Sequence, residues 1–184
     1  MGQVINIPNL LTLGRILLTP VIVYFILIDR PLQALVFMAI AGLTDMFDGA
    51  IAKHFDMQTT VGAYLDPLAD KLMLVSTIVC LFYVNEVPLF LFLAVIFRDA
   101  IIIIGAVLYE LVTRRLRMEP TFLSKLTTTV QIIYVLLGLL HMSFGIPGEM
   151  MRLAVWLTFF VTVASGVQYM VLWTYKAVHA ERRD

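Results

Sequence analysis

Six apolar runs, each long enough to cross a bilayer and parted by short polar turns, dominate this 184-residue chain. A transmembrane helix needs about 20 residues, because each rises about 1.5 Å across a hydrocarbon core of about 30 Å. The runs lie near 9–28, 33–53, 64–84, 88–112, 122–142 and 151–174. Hydrophobic residues make up 61% of the chain and charged residues 14%, more apolar surface than a soluble core of this length can bury. Lipid offers no water to backbone amides and carbonyls, so such runs are expected as helices. The expected fold is all-α: a polytopic membrane protein, one domain over 1–184, built as a six-transmembrane-helix bundle.

The breaks have physical causes. Asp29-Arg30-Pro31 ends the first helix with charge and then a proline, which cannot donate to a continuing helix. Asn85-Glu86-Val87-Pro88 and Gly145-Ile146-Pro147-Gly148-Glu149 are polar turns, and a basic run around Arg114, Arg115 and Arg117 parts helices four and five. With the N-terminus inside, the inner loops and tail hold Lys53, Arg114, Arg115, Arg117, Lys125, Lys176, Arg182 and Arg183. The outer loops hold only Arg30 and Arg152. This excess predicts both termini in the cytoplasm. Residues 1–8, ending in Pro8, are expected along the membrane surface.

Other classes are excluded or disfavoured. The formal net charge is zero, which suggests no nucleic-acid partner. A single cysteine, Cys80, rules out an intrachain disulfide. Arg15 interrupts the first apolar run, where a cleavable signal peptide would be purely apolar. His54, His141 and His179 show no metal-ligand spacing.

The chemistry concentrates between Thr44 and Lys71. Asp45 and Asp48 are three apart and share a face of helix two. Asp66 and Asp70 are four apart and share a face of helix three. Both pairs lie within about two turns of the cytoplasmic face, so helices two and three are expected side by side and antiparallel. Four carboxylates close together are costly in a low-dielectric setting unless cations compensate them. Hard divalent ions with oxygen ligands do this, and Mg²⁺ typically accompanies phosphate substrates. Two such ions can bind a diphosphate and stabilise the leaving oxyanion. Gly49 removes a side chain beside the carboxylates, Gly62 does the same near the start of helix three, and Lys53 supplies a positive charge where a diphosphate needs one. The bland alternatives are Asp66 as a helix N-cap before Pro67 and Asp45 as an interfacial residue reaching water.

This stretch resembles the CDP-alcohol phosphatidyltransferase family, whose pattern is Asp-x2-Asp-Gly-x2-Ala-Arg, eight or nine residues, then Gly-x3-Asp-x3-Asp. Every fixed position matches except Lys53, where the family has Arg. Lysine keeps the charge but lacks the planar fork that grips two phosphate oxygens. The opening Asn6-Ile-Pro-Asn9-Leu-Leu-Thr12-Leu-Gly-Arg15 is also similar to phospholipid-making members. The resemblance implies that Asp45, Asp48, Asp66 and Asp70 bind two divalent ions, Mg²⁺ or Mn²⁺, and that Asp70 is the general base on the acceptor hydroxyl. It further implies that Gly49, Lys53 and Gly62 line the CDP site. The implied reaction is attack of an alcohol on the phosphorus that carries diacylglycerol, with CMP leaving CDP-diacylglycerol. A homodimer in a bacterial inner membrane, its site facing the cytoplasm, is implied as well.

Two subfamilies fit: the phosphatidylglycerophosphate synthases and the eukaryotic-type cardiolipin synthases. Phe97-Arg98-Asp99 and the segment from Glu119 to Gln131 are similar to the second. The first tends to show Arg-Glu and Lys-x-Lys-Thr, where this chain has Arg98-Asp99 and Lys125-x-Thr127-Thr128. A soluble phosphate monoester wants more cationic donors than the diester of phosphatidylglycerol, so phosphatidylglycerol is the expected acceptor and glycerol 3-phosphate the alternative. Arg98, Arg114, Arg115 and Lys125 are the candidate acceptor contacts. Against them stand pairing of Arg98 with Asp99 and a purely topological role for Arg114 and Arg115. From other classes, a cation channel would place its acids near the midplane, and a membrane scaffold leaves the four aspartates unexplained.

Overall fold

A computed structural model describes residues 7–54, 60–113 and 121–180, with side chains over 12–45, 66–108 and 121–174. The described residues form six helices: α1 (Ile7–Leu27), α2 (Pro31–His54), α3 (Thr60–Tyr83), α4 (Leu89–Thr113), α5 (Phe122–Phe144) and α6 (Gly148–Ala180). Each corresponds to one of the expected apolar runs. Three are long and apolar enough to cross a membrane: Leu89–Leu108, Phe122–Phe144 and Gly148–Thr174. Shorter apolar helical stretches cover Thr12–Leu27 and Pro31–Asp45.

The turns end helices by backbone geometry as well as by composition. After α1, the Asp29 amide reaches the Ile26 carbonyl (3.1 Å) and the Arg30 amide reaches Phe25 (2.8 Å), with Asp29 at φ 57°. After α3, Asn85 reaches Phe82 (3.0 Å) and Glu86 reaches Leu81 (2.9 Å), with Asn85 at φ 66°. Both are Schellman caps, which satisfy carbonyls that a helix end would otherwise leave bare. Aspartate and asparagine tolerate that left-handed conformation better than most residues. After α5, Gly145 takes the same conformation at φ 68°.

The chain forms two compact units: Met1–Glu86 with Val135–Pro147, and Val87–Tyr134 with Gly148–Asp184. In unit 1, α1 packs on both α2 and α3. The expectation that α2 and α3 lie side by side is not among the described contacts; α1 is the helix that meets both. Ile22, Ile26, Ala34, Met38, Ile78 and Leu81 fill its core. Buried hydroxyls are satisfied locally: Thr19 donates to the Arg15 carbonyl (3.0 Å) and Thr77 to Met73 (2.7 Å). Such back-bonding lets polar side chains sit in apolar helices without an orphaned donor.

In unit 2, α4 packs on α6. Phe90 stacks on Trp156 with ring centroids 5.2 Å apart, Arg98 meets Ser165, and Gly105 meets Trp173. The offset along the two helices is nearly constant, so they run parallel. Gly105 permits the last contact: a Cβ there would stand 2.3 Å from Trp173 Nε1.

Candidate functional site

The site in unit 1 is built on a polar stripe of α1. Thr12, Arg15 and Thr19 recur at helical spacing, so they share one face of an otherwise apolar helix. All three are buried, Arg15 to 1% exposure. The stripe meets acids from two other helices. Thr12 donates its hydroxyl to Asp66 Oδ1, and Arg15 Nη1 donates to Asp70 Oδ1. Arg15 Nη2 lies 2.5 Å from Asp45 Oδ1.

The pairings follow from register. Thr12 to Asp66 spans 54 residues and Arg15 to Asp70 spans 55, while Cys80 Sγ meets the Val23 carbonyl 57 residues away at 3.7 Å. A near-constant offset means that α1 and α3 run parallel, turn matched to turn. One turn along α1 separates Thr12 from Arg15, and one turn along α3 separates Asp66 from Asp70. Asp66 lies inside α3, which begins at Thr60, so the N-cap alternative for this residue does not hold.

The electrostatics are lopsided. The guanidinium is sealed off, whereas the side chains of Asp45 and Asp70 are 46% and 48% exposed. A buried arginine is tolerated when carboxylates meet it with well-aligned hydrogen bonds. The carboxylates keep open sides for a second cation or for substrate. Three of the four motif aspartates are therefore gathered at one end of α1.

The remaining sequence candidates divide. The backbone of α2 carries Asp48, Gly49 and Lys53, and that of α3 carries Gly62; their side chains lie outside the described residues. Arg114 and Arg115 also lie outside them. In unit 2, Lys125 is exposed near the start of α5. Arg98 is paired with Asp99 (2.8 Å). Its guanidinium also donates to Ser124 Oγ (2.6 Å), to the Ser124 carbonyl (3.3 Å) and to Ser165 Oγ (3.3 Å). Thr121, which accepts from the Ser124 amide (3.2 Å), extends this network by donating to Gln168 Oε1 (3.0 Å).

Sequence reasoning missed Thr12 and Arg15 as members of the site: both were noted as part of an opening motif, and Arg15 also as a charge interrupting the first apolar run. The signal was present: an ionisable residue inside an apolar run marks a partner or a function.

The donors present suit a divalent ion. Asp45 and Asp70 converge on a single cationic group, and every acidic oxygen in the cluster is a hard ligand of the type Mg²⁺ takes. Among the described residues, no three acidic, histidine or cysteine side chains could hold a metal by themselves. The fourth aspartate, Asp48, is outside that set.

Comparison with known proteins agrees with the motif. The family model described as CDP-alcohol phosphatidyltransferase matches residues 5–164. Cardiolipin synthase (CMP-forming) of Rattus norvegicus is 37% identical over 89% of this chain and 60% of its own length. The human cardiolipin synthase (CMP-forming) is 36% identical with the same coverage. The chain thus spans about three fifths of these relatives. The CDP-diacylglycerol–glycerol-3-phosphate 3-phosphatidyltransferase of Rickettsia felis is 33% identical over 89% of this chain and 93% of its own length.

Proposed function

We propose a reaction from one premise: the chain belongs to the CDP-alcohol phosphatidyltransferase family. In this reading it transfers a phosphatidyl group from CDP-diacylglycerol to an alcohol, releasing CMP, in phospholipid synthesis. The observation that carries the reading is the convergence of Asp45, Asp66 and Asp70 on the Thr12–Arg15 face of α1.

Asp45, Asp48, Asp66 and Asp70 would hold two divalent ions, Mg²⁺ or Mn²⁺, whose charge would neutralise the diphosphate and the departing CMP. The protein's own groups do the rest. Asp70 Oδ takes the proton from the acceptor hydroxyl, for which its half-exposed position leaves an open side. The acceptor oxygen then attacks the phosphorus bearing diacylglycerol, and the bond to the CMP oxygen breaks. Gly49, Lys53 and Gly62 line the CDP site in this reading, with Lys53 supplying the positive charge that a diphosphate needs. Arg15 pairs with Asp45 and Asp70 and balances part of their charge.

The acceptor in this reading is phosphatidylglycerol, supported by the Arg98-Asp99 and Lys125-x-Thr127-Thr128 segments and by the similarity to cardiolipin synthases. Lys125, Arg114 and Arg115 are the acceptor contacts. Arg98 acts one step back, its guanidinium engaged in holding Ser124, the neighbour of Lys125. Glycerol 3-phosphate is the second reading, favoured by a match that covers nearly all of the Rickettsia felis relative.

The proposed setting is a six-helix bundle in a bacterial inner membrane, working as a homodimer, with both termini and the site on the cytoplasmic side. The basic inner loops support that orientation. The deciding experiment incubates purified protein with Mg²⁺ or Mn²⁺, CDP-diacylglycerol and either acceptor, followed by lipid mass analysis. Cardiolipin is the expected product. Phosphatidylglycerophosphate would move the reading to the second acceptor, and no CMP from either would end it.

A further inference from the structure

An open groove of about 890 Å³ runs along unit 1 between α1 and α3. Ile16, Val23 and Leu27 line it from α1, and Leu72, Val75 and Val79 line it from α3. Because the two helices run parallel, these residues order the groove by depth. Ile16 follows Arg15, and Leu72 lies two residues past Asp70, so one end opens at the acidic cluster. Leu27 and Tyr83 mark the far end.

The length of the groove is informative. Ile16 and Leu27 are eleven residues apart, roughly 16 Å at about 1.5 Å per residue. That is about half of a hydrocarbon core of about 30 Å, the depth of one leaflet. The walls suit hydrocarbon. The polar residues on the walls are few, Thr19, Ser76, Cys80 and Tyr83, and of these Thr19 and Cys80 each spend their hydrogen on a backbone carbonyl, Arg15 and Val23 respectively. Pro20 has no amide hydrogen to offer. Charge lies at one end only, which is the polarity of a lipid and not of a second helix crossing both leaflets.

We propose that this groove holds one acyl chain of the CDP-linked donor lipid, and that its depth sets the chain length the protein accepts. The proposal rests on the phosphatidyl-transfer reading above and adds the place of the lipid tail and a basis for chain selection.

The test compares dioleoyl and dioctanoyl CDP-diacylglycerol as donors for the wild type, Val79→Trp and Val75→Phe. Val79→Trp fills the deep half of the groove and should lower the dioleoyl-to-dioctanoyl ratio of kcat/KM about tenfold, the worth of displacing about two methylenes from contact. Val75→Phe, a smaller change higher in the groove, should lower it in the same direction and carries the test if Val79→Trp does not fold. An unchanged ratio in a folded variant overturns the proposal. With an unchanged particle mass in detergent, it would leave ordinary bilayer lipid in the groove; with a reduced mass, it would assign the groove to a second copy of the chain. A parallel arm needs no turnover: CDP-diacylglycerol with a photoreactive group at the acyl terminus should crosslink wild-type protein near Leu27, Val79 or Tyr83. Crosslinks confined to other helices overturn the proposal even if CMP is released. Absence of CMP alongside the expected crosslinks would instead count against the reaction.

Discussion

Arg15 in unit 1 and Arg98 in unit 2 are both almost fully buried, and both stand on a helix that packs parallel to a neighbour. Their partners differ. Arg15 meets two carboxylates from two other helices, each about half exposed. Arg98 meets the adjacent Asp99, only 10% exposed, and otherwise serine oxygens on α5 and α6. The first centre has more negative charge than its arginine can balance and an open side from which further cations can approach. The second is balanced and closed. A buried ionic centre of the open kind invites a ligand, whereas the closed kind ties helices together.

The comparison breaks most sharply if the open centre proves dispensable. Asp70→Asn keeps the shape and a hydrogen-bond acceptor for Arg15 but removes the proposed base. Turnover should fall about 10²–10⁴-fold, the usual worth of a general base. CMP release measured beside an unchanged thermal midpoint checks this, and an active Asp70→Asn protein removes the role given to that residue. The mirror experiment is Arg98→Met. Deleting one partner of a buried ion pair costs about 3–5 kcal/mol. The thermal midpoint should drop steeply, and added Mn²⁺ should not restore it, because Asp99 and the two serines form no cation site. Recovery with Mn²⁺ would mean that the Arg98 centre is the open one.

Arg15→Met separates the two centres more finely. Without the guanidinium, the three acids repel one another, and the protein without metal should lose stability. Divalent ions then meet less competing charge. A unit charge about 4 Å away is worth about 4 kcal/mol at an effective dielectric near 20, and the half-exposed carboxylates screen much of that. Mn²⁺ affinity should rise about tenfold, and the midpoint should climb more on adding Mn²⁺ than it does for the wild type. Titration of the midpoint against Mn²⁺ measures both. Weaker Mn²⁺ binding in Arg15→Met would show that the guanidinium orders the ligands and does not compete with the ion.

How legible these centres were in the sequence depended on the kind of signal. The six helices were readable because each run is predominantly apolar and bounded by polar turns, and the ends because Asp29, Asn85 and Gly145 suit a left-handed cap. The aspartates were readable because acids three or four apart share a helix face. The parallel register of α1 and α3 was not, because sequence spacing orders residues within a helix and says nothing of which turn of another helix they meet. Arg15 therefore read as part of a motif and not as the residue that joins Asp45 to Asp70. Arg98 was legible in part: its pairing with the adjacent Asp99 was the alternative weighed beside an acceptor contact, whereas the bonds to Ser124 and Ser165, 26 and 67 residues away, had no local signature.

The smallest effects sharpen the contrast by deleting one hydroxyl from each centre. Ser165→Ala removes an acceptor from a buried guanidinium, and hydrogen bonds to charged groups are worth about 1.5–3 kcal/mol. The loss should appear in the thermal midpoint alone, equally with and without Mn²⁺. Thr12→Val removes the donor to Asp66, whose carboxylate is partly exposed and can take water instead. Its cost in stability should be nearer 0.5–1 kcal/mol, the range of an ordinary net hydrogen bond. The informative change in Thr12→Val should be in Mn²⁺ affinity, since Asp66 loses the contact that orients it; outer hydrogen bonds to metal ligands are worth about 10–100-fold. If Thr12→Val shifts the midpoint by the same amount at every Mn²⁺ concentration, as Ser165→Ala should, then Asp66 is not a ligand and the open centre is smaller by one acid.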